Sequence, residues 1–311
     1  MSALLLAATM LWTVIVGGQT PDVSVYANGF YPREITVHTG DTVTWQFAGY
    51  HNVTFLSGAT PPPLAVKEGD NYYGNPLSFF PAGTSTYDGS GFHGSGVPPS
   101  DKPFSYSLTF TKAGRYEYSC TLHPGMTGIV NVVNGPVSET PEAALARGRA
   151  EQAASLAAGT KAYANLNPQV TGSHVTVPLI GSRDDRFSLL RFTHDPLVIA
   201  VGTTVTWTIQ DPFEVHTVTF TDNNGHLPEF FVPQMQANGP PKILFNGIAL
   251  TPTTRTTYDG TGWVNSGLLA APGSPGHSPS SFSLTFTKPG RYVYWCLVHD
   301  HEGQEGVVIV K

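Results

Sequence analysis

Apolar and polar residues alternate with a period of two in matching parts of the two halves of this chain. In the first half the alternation covers Glu34–His38 and Asp41–Phe47, with a glycine turn between them. In the second half it covers Pro196–Val201 and Thr204–Ile209. A period of two is typical of strands that bury one face, so each half is predicted to contain paired β-strands.

Further strands are predicted near the end of each half, where short segments are separated by turn residues. They are Phe104–Phe110, Tyr116–Ser119 and Gly128–Val133, with counterparts at Phe282–Phe286, Tyr292–Trp295 and Gly306–Val310. Many short strands joined by turns indicate an all-β fold class, with a Greek-key sandwich or barrel in each half. The 33 glycines and 26 prolines of the 311-residue chain agree with β-structure that is joined by long loops.

One helix is predicted between the two halves. Thr140 is a suitable N-cap, Pro141 suits the first helical position, and alanine-rich sequence then runs to Gly159, the predicted C-cap. We therefore expect a linker that contains a short helix over residues 137–168. Residues 160–172 are expected to be irregular.

The start of the chain is an apolar run over Ala3–Val16 that no Lys or Arg precedes. Because Thr13–Trp45 aligns without a gap on Val175–Trp207, residues from about Trp12 onward are assigned to the first domain as a strand. The expected organisation is a leader remnant at 1–11 (from an export signal or a start-site artefact), domain 1 at 12–136, the linker at 137–168 and domain 2 at 169–311.

Each half also contains a long insertion, at about Leu56–Pro103 in the first and Asp222–Ser280 in the second. Both insertions carry the motif Tyr-Asp-Gly-Ser/Thr-Gly-Phe/Trp, which starts at Tyr87 and at Tyr258. We interpret the motif as a shared turn that an aromatic side chain anchors, in preference to a catalytic role.

A repeated segment of fourteen residues contains the first candidates for functional residues. Ser107–Cys120 reappears as Ser283–Cys296 with eleven of fourteen positions identical. Each copy ends at one of the only two cysteines, and a histidine, His123 or His299, follows three residues later. A thiol and an imidazole on one short loop after a strand predict a metal site, and the repeat predicts it twice.

A third donor comes from upstream in each half. His51 and His216 lie at matching strand ends, although the second copy has three extra residues before its histidine. One thiolate and two imidazoles are the equatorial ligands of a trigonal blue-copper centre, in which a weak axial ligand tunes the potential. In the first loop, Cys120-Thr-Leu-His123-Pro-Gly-Met126, the thioether of Met126 is the candidate axial ligand.

These residues resemble the cupredoxin family of blue type 1 copper proteins. The Cys-x-x-His-x-x-Met spacing is similar to that of amicyanins, and the pair of His51 and Asn52 is also cupredoxin-like. In that family the asparagine ties the two ligand loops together. The resemblance implies two tandem plastocyanin- or amicyanin-like domains, with copper as the cofactor at two type 1 sites.

The second loop departs from the pattern because it is two residues longer and has no methionine. Aligning the glycines that follow the two loops places Gln304 on Met126, and Gln304 lies eight residues after Cys296, as in plastocyanins. A glutamine axial ligand would make this site resemble that of stellacyanins. Glu302 competes for the role because its offset from Cys296 equals that of Met126 from its own cysteine, and Thr217 replaces the asparagine.

A copper ion held by such a set has no open position, so the expected function is outer-sphere electron transfer without catalysis. An amide oxygen favours Cu(II) more than a thioether does. The second site is therefore expected to have the lower reduction potential and to pass electrons to the first site. Redox proteins are the expected partners, and a small-molecule substrate is not expected. The net charge of −6 argues against nucleic acid. An extracytoplasmic location (periplasmic, secreted or on the outer face of the membrane) is expected.

Four alternatives stay open at this point. A two-domain copper oxidase or nitrite reductase-like enzyme needs extra histidines, commonly beside the cysteine, but Ser119 and Trp295 precede the cysteines here and Thr121 and Leu297 follow them. The others are a one-copper protein with a non-metal second domain, a copper-storage or structural module, and a sandwich without metal that a disulfide links. The same donors would also bind Zn(II) in a copper-poor host.

Overall fold

The computed structural model describes residues 9–99, 102–221, 227–274, 276 and 278–311, so most of the predicted leader lies outside the described residues. The chain forms two compact units. The first consists of the chain up to Gly18, Asn28–Leu64 and Asn75–Ala154, and the second of Gln19–Ala27, Ala65–Gly74 and Ser155–Lys311. Two short segments from the first half of the sequence therefore pack within the second unit. The predicted domain limits at 12–136 and 169–311 stay a prediction.

The elements of the first half are mostly short strands. In chain order they are β1 (Leu11–Val16), β2 (Val25–Ala27), β3 (Phe30–Tyr31), β4 (Glu34–His38), β5 (Thr42–Phe47), β6 (Thr54–Phe55), β7 (Ala65–Glu68), β8 (Asn71–Gly74), helix α1 (Pro76–Phe79), β9 (Pro81–Ala82), β10 (Thr86–Tyr87), β11 (His93–Ser95), β12 (Ser105–Phe110), β13 (Gly114–Ser119) and β14 (Thr127–Val133).

The second half begins with the long helix and continues with strands. The elements are α2 (Pro141–Ala164), β15 (Gln169–Thr171), β16 (His174–Leu179), β17 (Gly181–Ser182), β18 (Phe187–Leu189), β19 (Leu197–Ile199), β20 (Thr204–Ile209), β21 (Thr219–Phe220), β22 (Phe231–Gln234), β23 (Lys242–Phe245), α3 (Gly247–Leu250), β24 (Thr257–Tyr258), β25 (Val264–Asn265), β26 (Ser281–Phe286), β27 (Gly290–Trp295) and β28 (Glu305–Val310).

Two sheets pack face to face in the first unit, with strand orders β10-β12-β5-β1-β3 and β4-β14-β13-β6-β11-β9. Trp45 of β5 lies between them, with its ring centroid 5.6 Å from that of Phe55 and 5.2 Å from that of Tyr118, both on the opposite sheet. All three side chains are buried. Aromatic rings of this size bury large apolar areas, so this cluster contributes to the hydrophobic stability of the unit.

The second unit has the corresponding pair of sheets, with orders β15-β16-β20-β26-β24 and β19-β28-β27-β21-β25. Trp207 of β20 contacts Phe220 at 6.0 Å and Tyr294 at 5.2 Å between ring centroids, as Trp45 does in the first unit. Two smaller sheets, β17-β18-β2 and β22-β23-β8-β7, include the segments from the first half of the sequence. The predicted all-β fold class is confirmed.

The helix differs from its prediction at the C-terminal end. It begins at Pro141 as expected, but α2 continues through Gly159 to Ala164, so the predicted C-cap and the irregular start of 160–172 are wrong. A Cβ on Gly159 would lie 2.3 Å from Cγ1 of Val25 and 3.1 Å from Cγ of Phe187. The glycine is therefore required for close packing of the helix on β2 and β18, and its position does not mark a terminus.

The motif in each insertion has the structural role that was expected. Tyr87 and Tyr258 are 3% and 2% exposed, and their rings lie 4.8 Å from those of Phe55 and Phe220 respectively. The interpretation as aromatic anchors is confirmed. Within the described part of the chain, none of the helices combines the length and the apolar character that crossing a membrane requires.

Candidate metal centres

The first candidate centre lies at one end of the sandwich of the first unit. His51 lies in the loop after β5, Cys120 directly follows β13, and His123 lies in the loop between β13 and β14. The potential ligand atoms of these three buried residues all lie within 4.8 Å of one another. Nδ1 of His123 is 2.9 Å from Nδ1 of His51 and 3.4 Å from Sγ of Cys120. The structure thus brings together the three equatorial donors that the sequence predicts.

The loop that carries Met126 is closed by its own backbone. The amide of Cys120 donates to the carbonyl of Met126 at 3.0 Å, and the amide of Met126 donates to the carbonyl of His123 at 3.1 Å. Gly125 has a φ of +87°, a left-handed conformation that glycine adopts without strain. Met126 is 2% exposed. The loop therefore holds Met126 in the interior beside the histidine, and its role as a ligand stays a prediction.

Asn52 links the two loops of this centre. Its Oδ1 accepts a hydrogen bond from the amide of Thr121 at 2.8 Å, and its Nδ2 donates to Oγ1 of Thr121 at 2.7 Å and to the carbonyl of Ser78 in α1 at 2.8 Å. The amide of Asn52 also donates to Sγ of Cys120 at 3.5 Å. These contacts fix both loops and direct one donor toward the sulfur.

The second candidate centre has the same three donors in the second unit. His216, Cys296 and His299 are buried, with ligand atoms within 4.8 Å of one another. Gln304 is fully buried and places a fourth potential ligand atom beside these three. Its Oε1 lies 3.0 Å from Nδ1 of His216 and 3.1 Å from Nδ1 of His299. Sγ of Cys296 is 3.5 Å from Nδ1 of His299.

The two candidates for the fourth ligand differ in their surroundings. Gln304 closes its loop as Met126 does, since the amide of Cys296 donates to the carbonyl of Gln304 at 3.0 Å. Among the described residues, Nε2 of Gln304 has no hydrogen-bond partner, while its Oε1 faces both imidazoles. Glu302 is half-buried, and its carbonyl accepts a hydrogen bond from Nη1 of Arg191 at 3.0 Å. These contacts favour Gln304 as the fourth ligand, and its coordination stays a prediction.

Both cysteines carry free, buried thiols, so the alternative that a disulfide links them does not describe this structure. Burial raises the pKa of the Cys120 thiol, but the imidazoles of His123 and His51 outweigh burial and lower that pKa to about 5. The same balance, with His299 and His216 as neighbours, lowers the pKa of Cys296 to about 5. Both side chains are therefore thiolates at neutral pH, which is the form that ligates soft metal ions.

Glu214, which the sequence pattern did not identify as a site residue, contacts a predicted ligand. Oε2 of Glu214 lies 3.3 Å from Nε2 of His299, and both residues are 8% exposed. Burial alone would lower the pKa of His299, but the Cys296 thiolate and the Glu214 carboxylate raise that pKa well above its ordinary value. The available signal was the three-residue insertion before His216, which places a carboxylate where the first copy has Gly49.

The second centre replaces the asparagine link with two residues. Oγ1 of Thr217 accepts a hydrogen bond from the amide of Leu297 at 2.8 Å, as Oδ1 of Asn52 does from Thr121. Asn265 of β25 donates to the carbonyl of Ala249 in α3 at 3.0 Å, which corresponds to the contact between Asn52 and α1.

Comparison with known proteins agrees with this geometry. The profile of the family described as copper binding proteins, plastocyanin/azurin family, matches residues 26–133. Amicyanin from Paracoccus denitrificans is 36% identical over 101 residues, which are 32% of this chain and 54% of that protein. A chloroplastic plastocyanin from Physcomitrium patens is 33% identical over 137 residues, which are 42% of this chain and 63% of that protein. The chain thus spans little more than half the length of these relatives.

A solved structure of the Cu(I) form of an amicyanin variant aligns with 41% of this chain and 87% of its own length, at 27% identity and a TM-score of 0.25. The segment that the family profile matches, 26–133, contains His51, Cys120, His123 and Met126. One thiolate and two imidazoles in a buried cluster also fit copper chemically, because soft sulfur and imidazole donors suit this metal. The chain is therefore similar to the plastocyanin/azurin family of copper binding proteins over residues 26–133, the segment that contains the first candidate centre.

Proposed function

We propose that this protein is a copper-binding electron carrier with two type 1 centres in tandem cupredoxin domains. The proposed ligands are His51, Cys120, His123 and Met126 in the first centre and His216, Cys296, His299 and Gln304 in the second. The observation that carries the proposal is the buried cluster of one thiolate and two imidazoles, which occurs in both units. A lone cysteine or histidine is commonly structural, but three matching donors at the same strand ends in both units are the arrangement a metal needs.

The protein prepares each site before a metal arrives. The low pKa of each cysteine supplies a thiolate at neutral pH, and the hydrogen-bonded loops hold the imidazoles beside it. Copper bound there would supply a one-electron couple between Cu(II) and Cu(I). Loops that are fixed by Asn52, or by Thr217 and Asn265, would keep the donors in nearly the same place in both oxidation states. Little rearrangement on electron transfer favours a carrier.

We infer that the protein is a carrier and not an enzyme. A copper enzyme needs an open coordination position and further histidines, and the residues that flank Cys120 and Cys296 are not histidines. Redox proteins are the proposed partners, and the proposed location is extracytoplasmic. The amide oxygen of Gln304 would stabilise Cu(II) more than the thioether of Met126 would, so electrons are proposed to pass from the second centre to the first.

The experiment is a Cu(II) titration of the metal-free protein, followed by visible absorption and EPR, with Cys120→Ser and Cys296→Ser in parallel. Two equivalents are expected to bind, and each cysteine variant removes the thiolate-to-copper band of its own centre. Loss of the entire band with Cys120→Ser alone would make the protein a one-copper carrier. Two bound metals without a thiolate-to-copper band would contradict type 1 centres and favour storage.

A further inference from the structure

We propose that Glu214 is a positioning residue of the second centre, which orients His299 toward the metal and stabilises the oxidised state of that centre. The inference rests on the proposed function of the second site. It assigns a role to a buried carboxylate that the ligand set itself does not use.

The two ring nitrogens of His299 face different groups: Nε2 faces Glu214, and Nδ1 faces the other potential ligands. Nε2 lies 3.3 Å from Oε2 of Glu214, whereas Nδ1 lies 3.1 Å from Oε1 of Gln304 and 3.5 Å from Sγ of Cys296. A carboxylate accepts hydrogen bonds and does not donate them, so Nε2 carries the proton. A metal ion would replace the proton on Nδ1, the nitrogen that faces Gln304 and Cys296, and Nε2 would keep its hydrogen bond to Glu214. A carboxylate behind a ligating histidine fixes its tautomer and makes it a stronger donor.

Glu214 is held in place by a loop with its own buried anchor. Oδ1 of Asp211 accepts hydrogen bonds from the amides of Phe213 at 2.9 Å and Glu214 at 3.2 Å, and Asp211 is fully buried. The loop also depends on Gly181, where a Cβ would lie 2.5 Å from Oδ1 of Asp211. The carboxylate of Glu214 is therefore carried by a fixed backbone, as positioning requires.

At the position that corresponds to Glu214, the first centre has Gly49. Gly49 lies two residues before His51, as Glu214 lies two residues before His216, and Gly49 has no side chain. The three extra residues of the second copy lie between Trp207 and Glu214, in the segment that Asp211 anchors. A buried negative charge next to a ligand stabilises Cu(II) more than Cu(I), since Cu(II) carries one more positive charge. The insertion therefore lowers the potential of the second centre, in the same direction as Gln304.

The test uses the full chain with Cys120→Ser, so that copper colour reports the second centre alone. Glu214→Gln keeps the shape and removes the charge, while Glu305→Gln removes an exposed carboxylate next to Gln304 and serves as the matched control. Loss of a carboxylate behind a ligating histidine typically weakens metal affinity by about 10–100-fold. The carboxylate is expected to strengthen binding of Cu(II) more than of Cu(I). Each tenfold loss of Cu(II) affinity relative to Cu(I) raises the reduction potential of the centre by about 59 mV.

A second measurement is independent of copper redox chemistry. In the Zn(II)-loaded protein, NMR of labelled histidine should detect a slowly exchanging proton on Nε2 of His299, and Glu214→Ala should make that proton exchange rapidly. The inference is wrong if Glu214→Gln raises the potential no more than Glu305→Gln, or if the Nε2 proton is insensitive to Glu214→Ala. Absence of a thiolate-to-copper band while Glu214 is intact would instead overturn the proposed function of the second site, and this inference with it.

Discussion

Single residues set how firmly each ligand loop is held. Asn52 makes three side-chain hydrogen bonds that join the histidine loop, the cysteine loop and α1. In the second unit Oγ1 of Thr217 accepts from the cysteine loop, while Asn265 donates to α3, and Thr219 connects the two residues through its hydroxyl. Division of the task between two residues makes each of them less critical.

This difference predicts unequal effects of truncation. Asn52→Ala leaves the amide of Thr121 and the carbonyl of Ser78 without their partner, and each buried group left unsatisfied costs about 1–3 kcal/mol. Thr217→Ala removes fewer contacts. We expect Asn52→Ala to lower the urea midpoint of the first centre's copper band more than Thr217→Ala lowers that of the second. Asn131→Ala, which removes an exposed hydrogen bond to Glu34, is the control. Equal shifts for Asn52→Ala and Thr217→Ala would contradict the account.

The cysteines give a prediction about pH. Their pKa values of about 5 mean that the metal-free protein holds two thiolates at pH 7, which become thiols as the pH falls through about 5. Thiolate absorption in the ultraviolet, recorded against pH, measures this directly, and each Cys→Ser variant should remove half of the signal. In denaturant the same thiols should titrate near the ordinary value of about 8.5. A folded-state midpoint near that value would show that the imidazoles do not stabilise the thiolates.

At the scale of elements, hydrogen bonds from Arg191 connect the second ligand loop, residues 297–304, to two other segments of the same unit. Its Nη1 donates to the carbonyl of Glu302 at 3.0 Å and to that of Leu190 at 2.6 Å, and Nη2 donates to the carbonyl of Asp22. The segment Gln19–Ala27, which contains Asp22, belongs to the second unit although it comes from the first half of the sequence. One guanidinium thus connects a strand-forming segment with the loop that carries two proposed ligands.

Arg191→Ala should therefore loosen the second ligand loop. Hydrogen bonds that involve a charged group contribute about 1.5–3 kcal/mol, so we expect amides at 297–304 to exchange with deuterium at least tenfold faster. Arg115→Ala, which removes an exposed arginine whose Nη1 lies 4.0 Å from Oε2 of Glu117, should leave the exchange unchanged. Unchanged protection in Arg191→Ala would mean that the loop is held by its own backbone alone.

Most strands, and the clustering of one cysteine with two histidines in each unit, could be predicted from the sequence, because both follow from local patterns and the repeat. Alternation over Glu34–His38 gives a strand of the same bounds, and the repeat places Cys120 and Cys296 at strand ends. Glu214 and Gly159 were missed because their roles depend on partners far away in the sequence. The carboxylate of Glu214 meets a ring 85 residues further on, and Gly159 packs on Val25 from the first half of the chain.

On the scale of the whole molecule, the described residues contain two candidate metal-binding clusters with the same three side-chain types and different surroundings. The first has Met126 in its loop, whereas the second has the oxygen of Gln304 and the carboxylate of Glu214 on its imidazoles. We propose that both features of the second centre stabilise Cu(II). Two centres of unequal potential in one chain would give electron flow a preferred direction.

The most direct test is a potentiometric titration of the fully copper-loaded protein, with the thiolate-to-copper absorption recorded at each potential. We expect two reversible one-electron steps, and the step that Cys296→Ser removes should have the lower potential. Two steps of equal potential, or a lower potential for the centre that Cys120→Ser removes, would contradict the proposed direction of electron flow. A copper-loaded protein without reversible absorption changes would contradict its function as an electron carrier.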